Sequence, residues 1–164
     1  LLVRKEMPKE TNYSIIIDID GVGLVGNNAI TTPGEYEIAD ILFNVFSFGD
    51  KLDKPEIVFI DSDEDVRILY VAGDVAVVNK NLMEKLPDTN ILIAEVNKEN
   101  LTQKLEILSE IEPDIFIPIV DKGLVDELAK ELGVSSIEIV PTLNISQKDF
   151  TEDSAELRVF LLKD

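Results

Sequence analysis

The chain contains no histidine, no cysteine and no tryptophan among its 164 residues. Without imidazole it lacks both the commonest general base near neutral pH and the commonest metal ligand, which excludes Ser-His-Asp, Cys-His and His-zinc mechanisms. Without cysteine it has no thiolate zinc site and no thiol nucleophile, and its composition agrees with a reducing, cytoplasmic setting, as it also does with an extracellular protein that needs no bridges. Basic residues are scarce, 15 Lys and Arg against 33 Asp and Glu, and the net charge is -18. Such a charge repels phosphate backbones and anionic lipid, so neither nucleic acid nor a membrane surface is expected as a partner. No run approaches the ~20 apolar residues of a membrane span. The opening Leu1-Leu2-Val3-Arg4-Lys5-Glu6 lacks the apolar centre of a signal peptide.

What remains is a chain of one-domain length, 1–164, able to bury about two thirds of its unfolded surface. After a charged approach segment with Pro8, strands are expected at Tyr13 to Ile19, Glu35 to Ile38 and Asp40 to Phe46, with Gly21 to Gly34 as loop. Ile57 to Asp61 and Val66 to Ala72 flank Ser62-Asp63-Glu64-Asp65 as a hairpin. Although Asp61, Asp63, Glu64 and Asp65 superficially resemble a calcium loop, so short a hairpin reads as a solvated turn. Helices and strands then alternate: a helical turn at Leu82 to Leu86, a strand at Ile91 to Val96, and a helix at Asn100 to Ile111 with Leu101, Leu105, Leu108 and Ile111 on one face. Pro118 places the strand Ile115 to Val120 near a sheet edge or close to its own end. A helix at Gly123 to Leu132, stopped by Gly133, precedes strands at Ile137 to Val140, Leu143 to Ile145 and Leu157 to Leu162. The expected fold class is α/β.

The stretch from Ser14 to Gly26 holds the densest chemistry, because an apolar run carries Asp18 and Asp20 into glycines. Gly21, Gly23 and Gly26 satisfy the G-x-G-x-x-G spacing of dinucleotide binding, but that motif needs a helix after the turn. Asn27-Asn28-Ala29-Ile30-Thr31-Thr32-Pro33-Gly34 is turn chemistry instead. Asp18-Ile19-Asp20-Gly21-Val22 also resembles the first motif of haloacid-dehalogenase-type phosphatases, and Val71-Ala72-Gly73-Asp74 their late acidic motif. That resemblance implies an aspartate nucleophile, a second aspartate as general acid and a Mg²⁺ ion.

A third resemblance covers most of the chain. Thr32-Pro33-Gly34-Glu35-Tyr36-Glu37-Ile38, Ser47-Phe48-Gly49-Asp50, the hairpin running into Gly73-Asp74, Glu112-Pro113-Asp114-Ile115-Phe116-Ile117-Pro118 and Leu143-Asn144-Ile145-Ser146 occur in that order. In this order and spacing they are similar to the metallo-β-lactamase-fold proteins, in particular the small bacterial lactonase-like branch. The resemblance implies a ββ-sandwich with flanking helices, here shortened at the N-terminus. It also implies that the family's metal positions fall on Asp18, Asp20, Gly23, Gly49, Asp74 and Val120, with Val22 at the metal-binding aspartate. Only Asp74, at the position resembling the bridging carboxylate, keeps its ligand type.

A binuclear zinc hydrolase needs imidazoles to hold the metals and acidify a bridging water, so no zinc site of the family type and no cofactor are expected. Asp18, Asp20 and Asp74 could still gather as an all-oxygen site for Mg²⁺ or Ca²⁺, which would make the chain a Mg²⁺-dependent phosphatase or hydrolase. Against this stands hydrogen bonding of these aspartates to their own turns, with Gly21, Gly23 and Gly26 as turn residues of positive φ. The resulting expectation is a non-catalytic member of the fold with a structural, assembly or binding role. A sheet edge left open by the missing first strands would pair with a second copy or a protein partner.

Overall fold

Short runs of β-formers broken by Gly, Asn, Asp and Pro dictate short strands, and the computed structural model contains them. It describes residues 2–3, 14–18, 21–25, 32–38, 41–46, 56–62, 65–86, 88–150 and 156–163. The strands and helices run β1 (Leu2–Val3), β2 (Ser14–Asp18), β3 (Gly21–Val25), β4 (Gly34–Ile38), β5 (Ile41–Phe46), β6 (Ile57–Asp61), β7 (Arg67–Val71) and α1 (Lys80–Met83). They continue as β8 (Ile91–Val96), α2 (Leu101–Ile111), β9 (Ile115–Val120), α3 (Val125–Glu131), β10 (Glu138–Val140), β11 (Leu143–Asn144) and β12 (Arg158–Leu162).

Eight strands form one sheet in the order β10-β12-β9-β8-β7-β6-β5-β4, and two-stranded ladders join β1 to β11 and β2 to β3. From β4 to β7 each strand pairs antiparallel with the next. From β7 onward every pairing in the sheet is parallel. The switch follows chain length. Ser62 closes the β6–β7 connection by donating its backbone N–H to Val66 O at 3.1 Å, with Asp65 in the left-handed region at φ 54. Parallel neighbours such as β8 and β9 need a crossover instead, and α2 supplies it.

The central strands carry continuous apolar runs because the sheet is covered on both faces. Ile57 to Ile60, Ile68 to Val71, Ile91 to Ala94 and Ile115 to Ile117 are all buried. Toward the antiparallel edge one face opens: Phe43 and Val45 of β5 are buried, whereas Leu42, on the opposite face of the strand, is exposed. Gly133 ends the helical segment as expected, with φ 69 and its N–H donated to Lys130 O at 3.1 Å.

Two expectations need correction. Gly21 to Val25 is a strand and not a loop: Val22, Leu24 and Val25 are β-formers, and the segment pairs antiparallel with β2 from Asp18↔Gly21 to Ser14↔Val25. Gly21 and Gly23 are therefore ladder residues, and the G-x-G-x-x-G spacing opens no helix there. Second, Pro118 lies in an interior strand, flanked by β8 and β12. The Ile115 N–H donates to Asn90 O at 3.0 Å, so odd-numbered residues of β9 direct their N–H toward β8 and Pro118 faces β12. Pairing with β12 stops at Val159↔Phe116, so the missing N–H falls beyond the ladder. The expected stripe of α2 does face the core, with Leu101 and Leu108 buried and Leu105 and Ile111 packed half-buried against it, and Lys104 and Ile107 are buried beside them. Lys104 is the charged residue on that buried face, and its reason lies at the end of β7.

Candidate functional site

Where a sheet is parallel, strand ends of one kind line up, and the carboxyl ends are where loops can converge on a ligand. In this protein β7 and β8 deliver Gly73-Asp74 and Glu95-Val96 to the same end of the sheet, because the parallel register aligns Val71 with Ala94. The end of β9 joins them through Val96↔Val120.

Four side chains knit these ends together. The Tyr70 hydroxyl, on a fully buried residue of β7, donates to Glu95 Oε1 at 2.6 Å. The other carboxylate oxygen of Glu95 accepts from the Gly73 N–H at 2.7 Å. That close approach explains the glycine: a Cβ at position 73 would lie 2.9 Å from Glu95 Oε2. Asn100, at the start of α2, donates through Nδ2 to Gly73 O at 2.7 Å and to Glu95 O at 3.2 Å. Its Oδ1 accepts from the Asn97 N–H at 2.8 Å, while Asn97 Oδ1 accepts from the Glu99 and Asn100 N–H groups, each at 2.9 Å. The asparagine side chain is committed to this turn and to β7, so it makes no side-chain cap of its own helix.

Lys104, one turn further along α2, is 1% exposed. Its Nζ donates to Ala72 O at 2.5 Å and to Val75 O at 2.6 Å, tying the turn that carries Asp74 to the helix. Burial strips water from the ammonium and pulls its pKa down from 10.5 to about 8, while the negative charges of Glu95 and Asp74 act the other way.

The residues singled out from sequence are distributed as follows. Asp18 ends β2 with its backbone paired to Gly21, and Val22 and Gly23 pair with Ile17 and Ile16 in the same hairpin. Asp20, Gly26 and Gly49 lie outside the described residues. Asp74 is exposed beside the Lys104 network, and Val120 is the half-buried last residue of β9. Among the described residues, no three Asp or Glu side chains gather as a metal-binding group. Sequence reasoning passed over Tyr70, Glu95 and Lys104, and saw Asn100 only as a helix start. The signal was present in two places: Glu95 is the one charged residue inside the run Ile91–Val96, and Lys104 sits three residues after Leu101 and four before Leu108 on an apolar helix face.

The antiparallel meander running into parallel strands with crossover helices gives the chain a metallo-β-lactamase-like fold. A crystal structure from Thermotoga maritima, of a candidate Zn-dependent hydrolase of the metallo-beta-lactamase superfamily, matches it with a TM-score of 0.65. The match covers 84% of this chain and 74% of that chain at 17% identity, a likeness of fold alone. No family model matches the sequence, and no curated protein does. The donors do not suit a zinc centre of the kind that fold hosts, because zinc sites are built from imidazole and thiolate with at most a minority of carboxylates, and this sequence has neither.

Proposed function

We propose that the chain is a metallo-β-lactamase-fold protein whose role is binding or assembly and not hydrolysis. The observation that carries this reading is the internal engagement of the strand ends: both Glu95 oxygens, the Asn100 amide and the Lys104 ammonium bind other groups of the protein itself. A hydrolase would aim such groups at a metal, a water or a substrate. With no histidine in the chain, the imidazole that most often activates water is absent.

Titration with Mg²⁺, Ca²⁺, Mn²⁺ and Zn²⁺ under thermal unfolding tests this directly. A ligand of the native state at a hundred times its dissociation constant adds about 2.7 kcal/mol of stability, a shift that is easily read. The expected result is no shift up to millimolar metal. A saturable shift that disappears in Asp74→Asn or Asp18→Asn would replace this reading with the Mg²⁺-dependent phosphatase or hydrolase built on Asp18, Asp20 and Asp74.

The partner surface in this reading is a sheet edge, which offers a second copy of the chain, or another protein, a row of backbone groups. Among the described residues β4 pairs on one side only, with β5. The reading also places the protein in the cytoplasm, with no nucleic-acid or membrane partner, in keeping with its net charge of -18. That charge repels a second copy, so self-association should strengthen as salt screens it. Light scattering at micromolar concentration should report a dimer or larger species, more of it at high salt than at low. A monomer at every ionic strength would remove self-assembly from the proposal.

A further inference from the structure

Lysine is almost never fully buried without partners, and at position 104 an apolar residue would have continued the α2 stripe without stripping a charge of water. Something at the end of β7 must account for it. The Ala72 and Val75 carbonyls converge on one nitrogen, at 2.5 and 2.6 Å, from the two ends of the turn that holds Gly73 and Asp74. The stem reaches them from inside the protein, beside Leu101 and Leu108 on the buried face of the helix. Asn100 binds the same turn at Gly73 O, and Glu95 binds it at the Gly73 N–H. The Gly73 N–H and carbonyl are thus engaged by Glu95 and Asn100, while the Ala72 and Val75 carbonyls accept from Lys104 alone among these side chains.

We propose that the turn from Ala72 to Val75 is a primary-amine site that the chain fills with its own Lys104, and that this amine holds the turn presenting Asp74 in place. The ligand class follows from the acceptors. Two converging carbonyls require at least two N–H bonds on one small nitrogen, and nearby carboxylates favour a basic one. An alcohol offers a single donor and a quaternary ammonium none.

Lys104→Ala removes Cγ, Cδ, Cε and Nζ, the same heavy atoms as n-propylamine. In that variant n-propylamine should raise the thermal midpoint saturably, by about 2–4 °C for each kcal/mol of stability regained. Wild-type protein, whose site is filled, should show no such rise. n-Propanol and tetramethylammonium should give less than half the effect. Equal rescue by n-propanol would reduce the site to a hole in the core, and no difference between variant and wild type would overturn the proposal. Should Lys104→Ala not fold, Lys104→Met keeps the stem and removes only the donors. Amide exchange at Gly73, Asp74 and Val75 should then quicken about tenfold, the effect of one net hydrogen bond, with Ile117 in β9 unchanged. Exchange at wild-type rates in that turn would equally overturn it.

Discussion

Glu95→Leu should lower the unfolding free energy by about 2–4 kcal/mol, the order expected when one half-buried carboxylate leaves two donors without their acceptor. Leucine suits the run Ile91–Val96, so lost packing is not the source. The cost comes from groups that lose their acceptor: the Tyr70 hydroxyl and the Gly73 N–H, each about 1–3 kcal/mol when left unsatisfied. It comes also from Lys104, which loses the larger of the two negative charges opposing its desolvation. The last contribution can be isolated, because it exists only while the lysine is there. In a Lys104→Met background the same Glu95→Leu change should cost roughly 1–3 kcal/mol less, a coupling typical of contacting groups in one network. Urea unfolding of the wild type, both single variants and the double variant at pH 7 measures it. Additive costs, within about 0.5 kcal/mol, would mean that Glu95 and Lys104 stand side by side without acting on one another.

The network also marks where sequence reading succeeds and fails. The antiparallel half was legible because each connection is local: Glu35–Ile38 against Asp40–Phe46, and Ile57–Asp61 against Val66–Ala72, fold back across short turns with recognisable chemistry. The helices were legible from their period, and Gly133 from its need for positive φ. What failed depends on neighbours distant in sequence. Pro118 sits inside the sheet because β12, forty residues later, stops pairing at Phe116. Gly21 to Val25 became a strand because β2 was available to pair, which the glycines alone concealed. Glu95 and Asn100 meet Gly73, and Lys104 meets Ala72 and Val75, across separations of 22 to 32 residues, through bonds that no local motif announces. Glycines and aspartates drew attention to the Ser14–Gly26 stretch as the place for chemistry. The described side-chain network lies instead at the ends of β7 and β8, where Asp74, one of the six family-like metal positions, sits in the turn that the network holds.

Stability should rise, not fall, as pH is raised from 7 to above 10, by about 3 kcal/mol from Lys104 alone. In the folded protein its pKa is about 8; in the unfolded chain it returns to about 10.5. Between these values the unfolded chain holds a proton that the folded protein has released, so stability climbs with pH across that window. Below pH 8 both states carry the charge and the folded state bears the full desolvation cost, which at about 1.4 kcal/mol per pKa unit comes to roughly 3 kcal/mol. Above about 10.5 that cost is gone. The neutral amine still has two N–H bonds, enough for Ala72 O and Val75 O, so the turn keeps its clamp while the charge is shed. The informative quantity is the difference between wild type and Lys104→Met at each pH, which removes the contributions common to both proteins. That difference should move in favour of the wild type by roughly 3 kcal/mol between pH 7 and 10.5 in urea unfolding. A flat difference would show that Lys104 titrates alike in both states, and a difference moving the other way would mean that Glu95 and Asp74 outweigh desolvation and hold the ammonium charged.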